Sequence, residues 1–514
     1  MLRLFMVCAC LGLVGSLRAQ DVPTAFKTGF VESGSILRNS ITNLHVQGDS
    51  LWIGPFLNVT PNEGGTWLVA EADSLRGSRN RIFSIDIEGD VIWAGLGFTS
   101  TTDGNSVAAA GGFLVSTDGG QTFNYRFPQL DAPGDTEIEY GINTLNALDV
   151  IVPEQSPPYD IDYDPVTETV WVAGWASGVR RSTDGGISWE RVVLPTDNLD
   201  AVSPDQQYEF TVEPQRGGMG SFNHMGFAIL VDELGTIWAG TPNGINRSTD
   251  GGLAWRKFKF DGTPNGLTGS WVIAVEEEPV EGRNPIWMAT WNAGEAGEDG
   301  RFGVTVTRDG GQTFDQVLIG VRAYDFAFAP DGTVYVAAEQ GLYITRDQGR
   351  SWTSVTNFNS PTSQRVLPGR VEVFAVAVTS EAVWAGTSDG LVRSTNGGRT
   401  WQAFRVEVPL NPDEPSDAVP ATETFAYPNP FSPAANGFTR LRYELERPSS
   451  VRIRVFDFGM NLVRTLPSES HAEGVHETLW DGTSDQGTRL PNATYFYQIS
   501  TDAGTSWGKI LLIE

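Results

Sequence analysis

The octapeptide STDGGISW (Ser182–Trp189) decides the fold, because the chain returns to it six more times. STDGGQTF begins at Ser116, STDGGLAW at Ser248, TRDGGQTF at Thr307, TRDQGRSW at Thr345 and STNGGRTW at Ser394, with a shortened NEGGTW at Asn62. An Asp can accept backbone N–H bonds inside its own turn, and paired glycines supply angles that side chains forbid. Each copy therefore reads as a hairpin turn whose last residue opens a strand. Upstream stands a second recurring feature, an aromatic between an apolar and a small residue: Trp52, Trp93, Trp171, Trp238, Trp287, Tyr335 and Trp384. Alternating runs such as SIDI, YDFAF and FAVAV precede these anchors, separated from them by short turns such as EGD and PDG. The first two repeats align at an offset of 41 residues, Asn39 on Asn80 and Gly48 on Gly89. A repeat of this length is one supersecondary unit that buries its faces only against its neighbours.

The STDGG motif resembles the Asp-box of the BNR repeat, and residues 36–405 resemble an Asp-box (sialidase-like) β-propeller. Four strands per repeat over that span give roughly 53 residues per blade and seven blades. The expected fold class is all-β: a seven-bladed β-propeller over residues 21–405, followed by a small Ig-like β-sandwich. The resemblance puts the Asp-box turns on the face opposite an active site. Asp118, Asp184, Asp250, Asp309 and Asp347 are accordingly read as hairpin fasteners, not as catalysts or metal ligands, and Asn396 in the last copy agrees with that role.

Residues 1–20, MLRLFMVCACLGLVGSLRAQ, have one early arginine, a short apolar run and a small-residue end, the pattern of a secretory signal peptide. The run is too short to cross a bilayer, and no other stretch is apolar enough, so no transmembrane segment is expected. Both cysteines, Cys8 and Cys10, fall inside it, which removes thiol chemistry and Cys-ligated zinc from the mature chain. With 63 acidic against 35 basic residues, a net charge of −28 and no basic stripe, nucleic acid is excluded as a partner.

Residues 406–423 are rich in Pro and acid and read as an interdomain linker. From Phe425 the alternation is that of a small antiparallel sandwich. Residues 424–514 resemble the type A sorting domain of the type IX secretion system and the FlgD-like Ig fold. Tyr427-Pro428-Asn429-Pro430-Phe431, Trp480-Asp481-Gly482, Tyr495-Phe496-Tyr497 and Lys509-Ile510-Leu511-Leu512 carry that resemblance. It implies secretion machinery as a partner and a secreted or cell-surface location.

Insertions single out one face of the propeller. The spacing from Asp118 to Trp171 is 53 and from Asp184 to Trp238 is 54, against 26 from Asp309 to Tyr335. Residues 96–113, 124–157, 191–222 and 291–304 are expected to project from the face where blades connect, where binding loops belong. Around the channel mouth there, the starts of inner strands offer Arg81, Tyr159, Asp160, His224, Trp271, Arg322, Tyr324, Asp325, Arg370 and Glu372. The ends of second strands add Trp175, Trp291 and Asp389. Aromatics mixed with carboxylates and guanidinium groups suit a carbohydrate surface. The expected function is binding of an extracellular polysaccharide or protein, without metal or cofactor. The alternative is a sialidase-like or endo-glucanase-like glycoside hydrolase, with Asp160 and either Asp325 or Glu372 as the carboxyl pair and Tyr159 or Tyr324 near them. Against it, no Arg-Ile-Pro precedes the first repeat, and seven blades depart from the six of sialidases. Two propeller histidines, His45 and His224, leave little for a lyase.

Overall fold

The computed structural model describes residues 26–27, 30–70, 80–102, 105–280, 282, 284–292, 301–358, 367, 370–406 and 423–513. The expected signal segment 1–20 and nearly all of the expected linker 406–423 lie outside them. Seven antiparallel four-stranded units follow one another in sequence order. Their inner strands are Leu44–Gln47, Arg81–Glu88, Pro158–Asp164, Ala228–Val231, Trp271–Glu277, Ala323–Phe328 and Val373–Val378. Each inner strand packs against the next, and the last packs against the first, so the sheets close into a propeller around a central channel. A small β-sandwich follows, giving the all-β architecture expected from the repeats.

The two repeated motifs meet in space, but between blades. The anchors Trp52, Trp93, Trp171, Trp238 and Trp384 are buried. Each lies against the second glycine of the following blade's turn. A Cβ on Gly120 would stand 2.6 Å from the Trp52 ring, one on Gly186 2.8 Å from Trp93, and one on Gly252 2.6 Å from Trp171. Gly311 faces Trp238 in the same way and Gly64 faces Trp384, both at 3.2 Å. These glycines also sit at φ between 78° and 85°, so both space and backbone demand the absence of a side chain. An arginine completes the joint by donating to the carbonyl of the residue before that glycine. Arg126 reaches Gly185, Arg181 Gly251, Arg308 Gln348 and Arg346 Gly397, at 2.8–3.0 Å, and Arg247 and Arg393 do the same to Gly310 and Glu63. Glu63 and Gln348 stand where the other copies have glycine, and both keep positive φ.

Inside each turn the acid accepts local donors. Asp118 takes the Ser116 hydroxyl at 2.8 Å, the Thr122 N–H at 2.8 Å and the Thr122 hydroxyl at 2.6 Å. Asn396 accepts the Arg399 and Thr400 N–H groups at 3.1 and 3.0 Å, so the amide can replace the acid.

Ring closure uses the same joint. Blade 1 is built wholly from residues after Leu44 and blade 7 wholly from residues before Arg405. Among the described residues the N-terminal segment adds no strand to the last blade. Instead, Phe30–Glu32 pairs outside blade 1 and Phe26–Lys27 outside blade 2. Beside the Trp384–Gly64 contact, the Asn39 side chain bonds both backbone groups of Val406, donating at 3.0 Å and accepting at 2.9 Å.

Three of the four long insertions differ from expectation, and most of the fourth, 291–304, lies outside the described residues. Residues 96–113 are mostly strand: blade 2's hairpin Val91–Thr102 and Asn105–Ser116 simply runs long. Segments 124–157 and 191–222 supply a three-stranded sheet, Glu137–Tyr140, Asn143–Ala147 and Thr211–Val212. It packs Tyr140, Leu145 and Ala147 onto Val192, Val193, Leu194 and Trp255 of the third and fourth blades. The Tyr140 hydroxyl reaches the Leu253 carbonyl, at the turn end of blade 4, at 2.7 Å. Alternating apolar residues in these loops need cover, and the blades' outer edges provide it.

In the sandwich, Thr424–Tyr427, Thr439–Leu445 and Gly474–Trp480 form one sheet, and Ser449–Phe456, Leu462–Thr465, Ala493–Ser500 and Thr505–Leu512 the other. Phe431, Trp480, Tyr495 and Tyr497 are core residues, and Tyr427 is buried beside them. Among the described residues no helix is long and apolar enough to cross a membrane.

The Trp–Gly joint makes a sharp prediction. Gly186→Ala should destabilise the propeller by about 1–3 kcal/mol, combining a left-handed backbone with a ring clash. Urea unfolding measures it, and a loss below ~0.5 kcal/mol, the size of an ordinary surface change, would contradict the joint.

Candidate functional site

Five inner strands slip register near their starts. The residues left unpaired are Phe83, Tyr159, Ile273, Tyr324 and Phe374. A bulge of this kind re-aims a side chain, and four of these five are aromatic. Phe227 holds the corresponding place in blade 4, just before Ala228. The rings touch in series. Phe83 and Tyr159 lie 6.2 Å apart, Tyr159 and Phe227 6.1 Å, and Phe227 contacts Trp175 at 5.0 Å and Trp271 at 5.4 Å. A second arc joins Trp291 to Tyr324 at 5.4 Å and Tyr324 to Phe374 at 5.7 Å. Trp271 and Trp291 are cross-strand partners, which links the arcs. An aromatic collar thus runs around the channel mouth from blade 2 to blade 7. Its members are half-buried, and Tyr159 is 38% exposed.

Guanidinium groups edge the collar. Arg322 lies over Trp291 at 5.7 Å and over Phe302 at 5.4 Å. Arg38 and Arg81 flank the Phe56 ring at 5.6 and 5.1 Å. Burial, and then the neighbouring Arg38, lowers the Arg81 pKa. Two clefts open beside them, one of about 390 Å³ bordered by Arg38, Arg81 and Phe83, the other of about 520 Å³ bordered by Glu339, Arg370 and Glu372.

Beneath the collar the channel turns acidic, and the acids hold blades together. Asp160 accepts the Ile161 N–H and, from the next blade, the Ile229 N–H, both at 2.9 Å. Asp325 takes Phe326 N–H at 2.8 Å and the next blade's Val376 N–H at 2.9 Å. One tier deeper, Asp86 accepts Tyr163 N–H at 2.7 Å and Asp162 accepts Val231 N–H at 3.2 Å. Glu276 is opposite Trp287 in that same tier. Each keeps some surface toward the channel while protein crowds it elsewhere. Burial raises all five, Asp86 to about 6 and Asp160 and Asp325 to about 7. Asp162 and Glu276 are raised by burial first and then by the other carboxylates.

Of the residues proposed from sequence, Tyr159, Trp175, Trp271, Trp291 and Tyr324 come together in the collar, with Arg322 on it. Arg81 lies beside Phe56, and Arg370 with Glu372 borders the second cleft. Asp160 and Asp325 lie below, with both oxygens of each engaged. His224 lies elsewhere: it is buried under the 191–222 insertion, its Nε2 3.0 Å from the Leu194 carbonyl, and burial lowers its pKa. Asp389 pairs with Arg405 at 2.9 Å and with Arg440 of the sandwich. The reading from sequence passed over Phe83, Phe227 and Phe374. Aligning the repeats on Tyr159 and Tyr324 would have found them. Among the described residues no group of three or more His, Cys, Asp or Glu side chains is arranged to hold a metal.

Residues 432–505 match the FlgD Ig-like domain family. No curated protein matches the chain in sequence. Among solved structures, YCF48 from Cyanidioschyzon merolae is 16% identical with a TM-score of 0.43, over 73% of this chain and 98% of its own. PorZ, an essential bacterial surface component of the type-IX secretion system of Porphyromonas gingivalis, is 12% identical with a TM-score of 0.34, over 92% and 75%. The extracellular domain of BT4673 from B. thetaiotaomicron is 14% identical with a TM-score of 0.35, over 93% and 76%. None of these speaks to a ligand.

The channel acids predict how stability follows pH. Their folded-state values lie above the ordinary carboxylate range, so their contribution is complete below about pH 4 and is lost as pH rises through about 6 to 7. The turn acids act oppositely and lower down. Side-chain and backbone bonds from Ser351 hold Asp347 at about 2, so its contribution fades only in strong acid. Thermal midpoints should therefore rise between pH 8 and pH 5, and Asp325→Asn should flatten that rise. A midpoint falling over the same interval would contradict the assignment.

Proposed function

We propose that this protein is an exported, cell-surface propeller that binds an extracellular polysaccharide across its mouth face. The observation that carries the reading is the aromatic collar. Aromatic faces left accessible at a channel mouth suit the apolar faces of sugar rings, and the Arg322 guanidinium beside them suits hydroxyl or carboxylate oxygens. Export rests on the signal-like segment 1–20. Surface delivery rests on the type A sorting resemblance of residues 424–514, to which the FlgD Ig-like match adds the fold of that region.

A hydrolase reading draws on one observation, the carboxyls of Asp160 and Asp325 standing near neutrality under the collar. A group poised there can serve as a general acid. Both are already engaged by two backbone N–H groups each, which favours binding without turnover.

Residues 21–514, incubated with a panel of polysaccharides, should retain at least one polymer and release no oligosaccharide detectable by mass spectrometry. Trp175→Ala and Trp271→Ala should each weaken retention at least about tenfold, as loss of a stacking aromatic does at a contact centre, with the unfolding midpoint changed by a few degrees at most. Soluble products that disappear in Asp160→Asn would replace the binding reading with hydrolysis. Undiminished retention in both tryptophan variants would remove the collar from the site.

A further inference from the structure

Blade 7 ends in half of an ion-pair ring whose other half belongs to the sandwich. Asp389 sits in the turn between Val383–Thr387 and Gly390–Ser394, and Arg405 follows the final strand Gln402–Phe404. Both positions lie at the mouth end of the blade. The sandwich contributes Arg440 from Thr439–Leu445 and Glu477 from Gly474–Trp480. Signs alternate around the ring. Arg405 lies 2.9 Å from Asp389 and 3.0 Å from Glu477, while Arg440 pairs with Asp389 and lies 3.8 Å from Glu477. The Tyr427 hydroxyl donates to the other Glu477 oxygen.

The side chains of Arg405 and Arg440 are 2% exposed, Glu477 1% and Asp389 20%. Charges removed from water this completely persist only where each finds opposite charge, and removing one partner strands the rest. Each domain alone supplies one cation and one anion, so separating them leaves every member with one opposite charge in place of two. The next residue, Val406, is the one that Asn39 holds at the ring closure, so the backbone here is fixed to blade 1 and to the sandwich at adjacent residues. Beside the ring, the Ser388 N–H donates to the Glu372 carbonyl at 2.9 Å, next to the cleft at Arg370.

We infer that the Ig-like domain is a fixed wall of the propeller's mouth face, held by this four-charge ring independently of the covalent connection through 407–422. Severing that connection then yields a two-chain complex, not a released domain. The inference stands whether or not the collar binds sugar.

The test is the full chain with a protease recognition sequence inserted at position 415, cut to completion and followed by gel filtration and titration of the fragments. The expected result is co-elution at micromolar concentration, with the dissociation constant raised at least tenfold by Glu477→Gln. Should that variant disturb the sandwich core, Asp389→Asn, on the propeller side and partly exposed, should raise it severalfold with both fragments folded by circular dichroism. Separation of the unmodified fragments on cutting would overturn the inference. So would an unchanged dissociation constant in Asp389→Asn.

Discussion

At five of the seven blade boundaries the ring depends on a tryptophan of one blade lying where the next blade's turn has no side chain. Two features that look independent along the chain, an aromatic anchor and a Gly-Gly turn, are the halves of one joint between repeats. The contact buries a large ring against bare backbone, and the arginine donating to the adjacent carbonyl satisfies a polar group that the approach would otherwise strand. Nearest-neighbour joints of this kind let a repeat structure gain stability additively. They explain how a chain whose two cysteines both fall in its first 20 residues holds a ring without disulfides. They also explain why the turn acids stay local: Asp118 spends its oxygens on its own turn, leaving the glycine beside it to make the contact between blades.

The fold was legible because this joint repeats. Seven anchors and seven turns define the period, and the sandwich declared itself through Tyr427, Trp480 and Tyr497, all of which proved to be buried. The site was half legible. Trp175, Trp291 and Tyr159 stand at strand ends, where a sequence reading looks for them. Phe83, Phe227 and Phe374 share the repeat position of Tyr159 and Tyr324, and the bulge that turns most of them to the mouth shows only once register is known. Asp160 and Asp325 illustrate the opposite limit. An acid on an inner strand looks available in sequence, but its partners are N–H groups of the following blade, roughly 50 to 70 residues further on. Likewise nothing near Asp389 announces that its partner lies 51 residues away in another domain. The insertions misled for a simpler reason. Their length was readable, whereas the apolar blade edge that draws them outward was a property of residues elsewhere.

Polarity changes with depth along the channel. At the rim are Arg38, Arg81 and Arg322, then a belt of rings, then five carboxyls whose pKa values burial raises. This order suits a ligand that lies across the opening. A chain end carrying negative charge meets attraction at the rim and no opposite charge further in, so the gradient sorts orientation without any moving part. The acids under the belt can afford their position because each one's N–H partners are fixed by the neighbouring strand.

A closure made of side-chain contacts has a consequence for the architecture itself. Many rings are sealed by lending a strand from one end of the chain to the blade at the other, which makes that blade unlike its neighbours. Here Trp384, Gly64, Arg393 and Glu63 seal the first blade to the last with the parts used at four of the six interior boundaries. The seam therefore shares its main contact with interior boundaries, and the Asn39–Val406 bonds are added to it. The ring's ends could be moved to another blade boundary, or a blade gained or lost by duplication, without inventing a new kind of joint. The one boundary that resists such shuffling is the seventh, where Arg405 ties the last blade to a domain outside the ring.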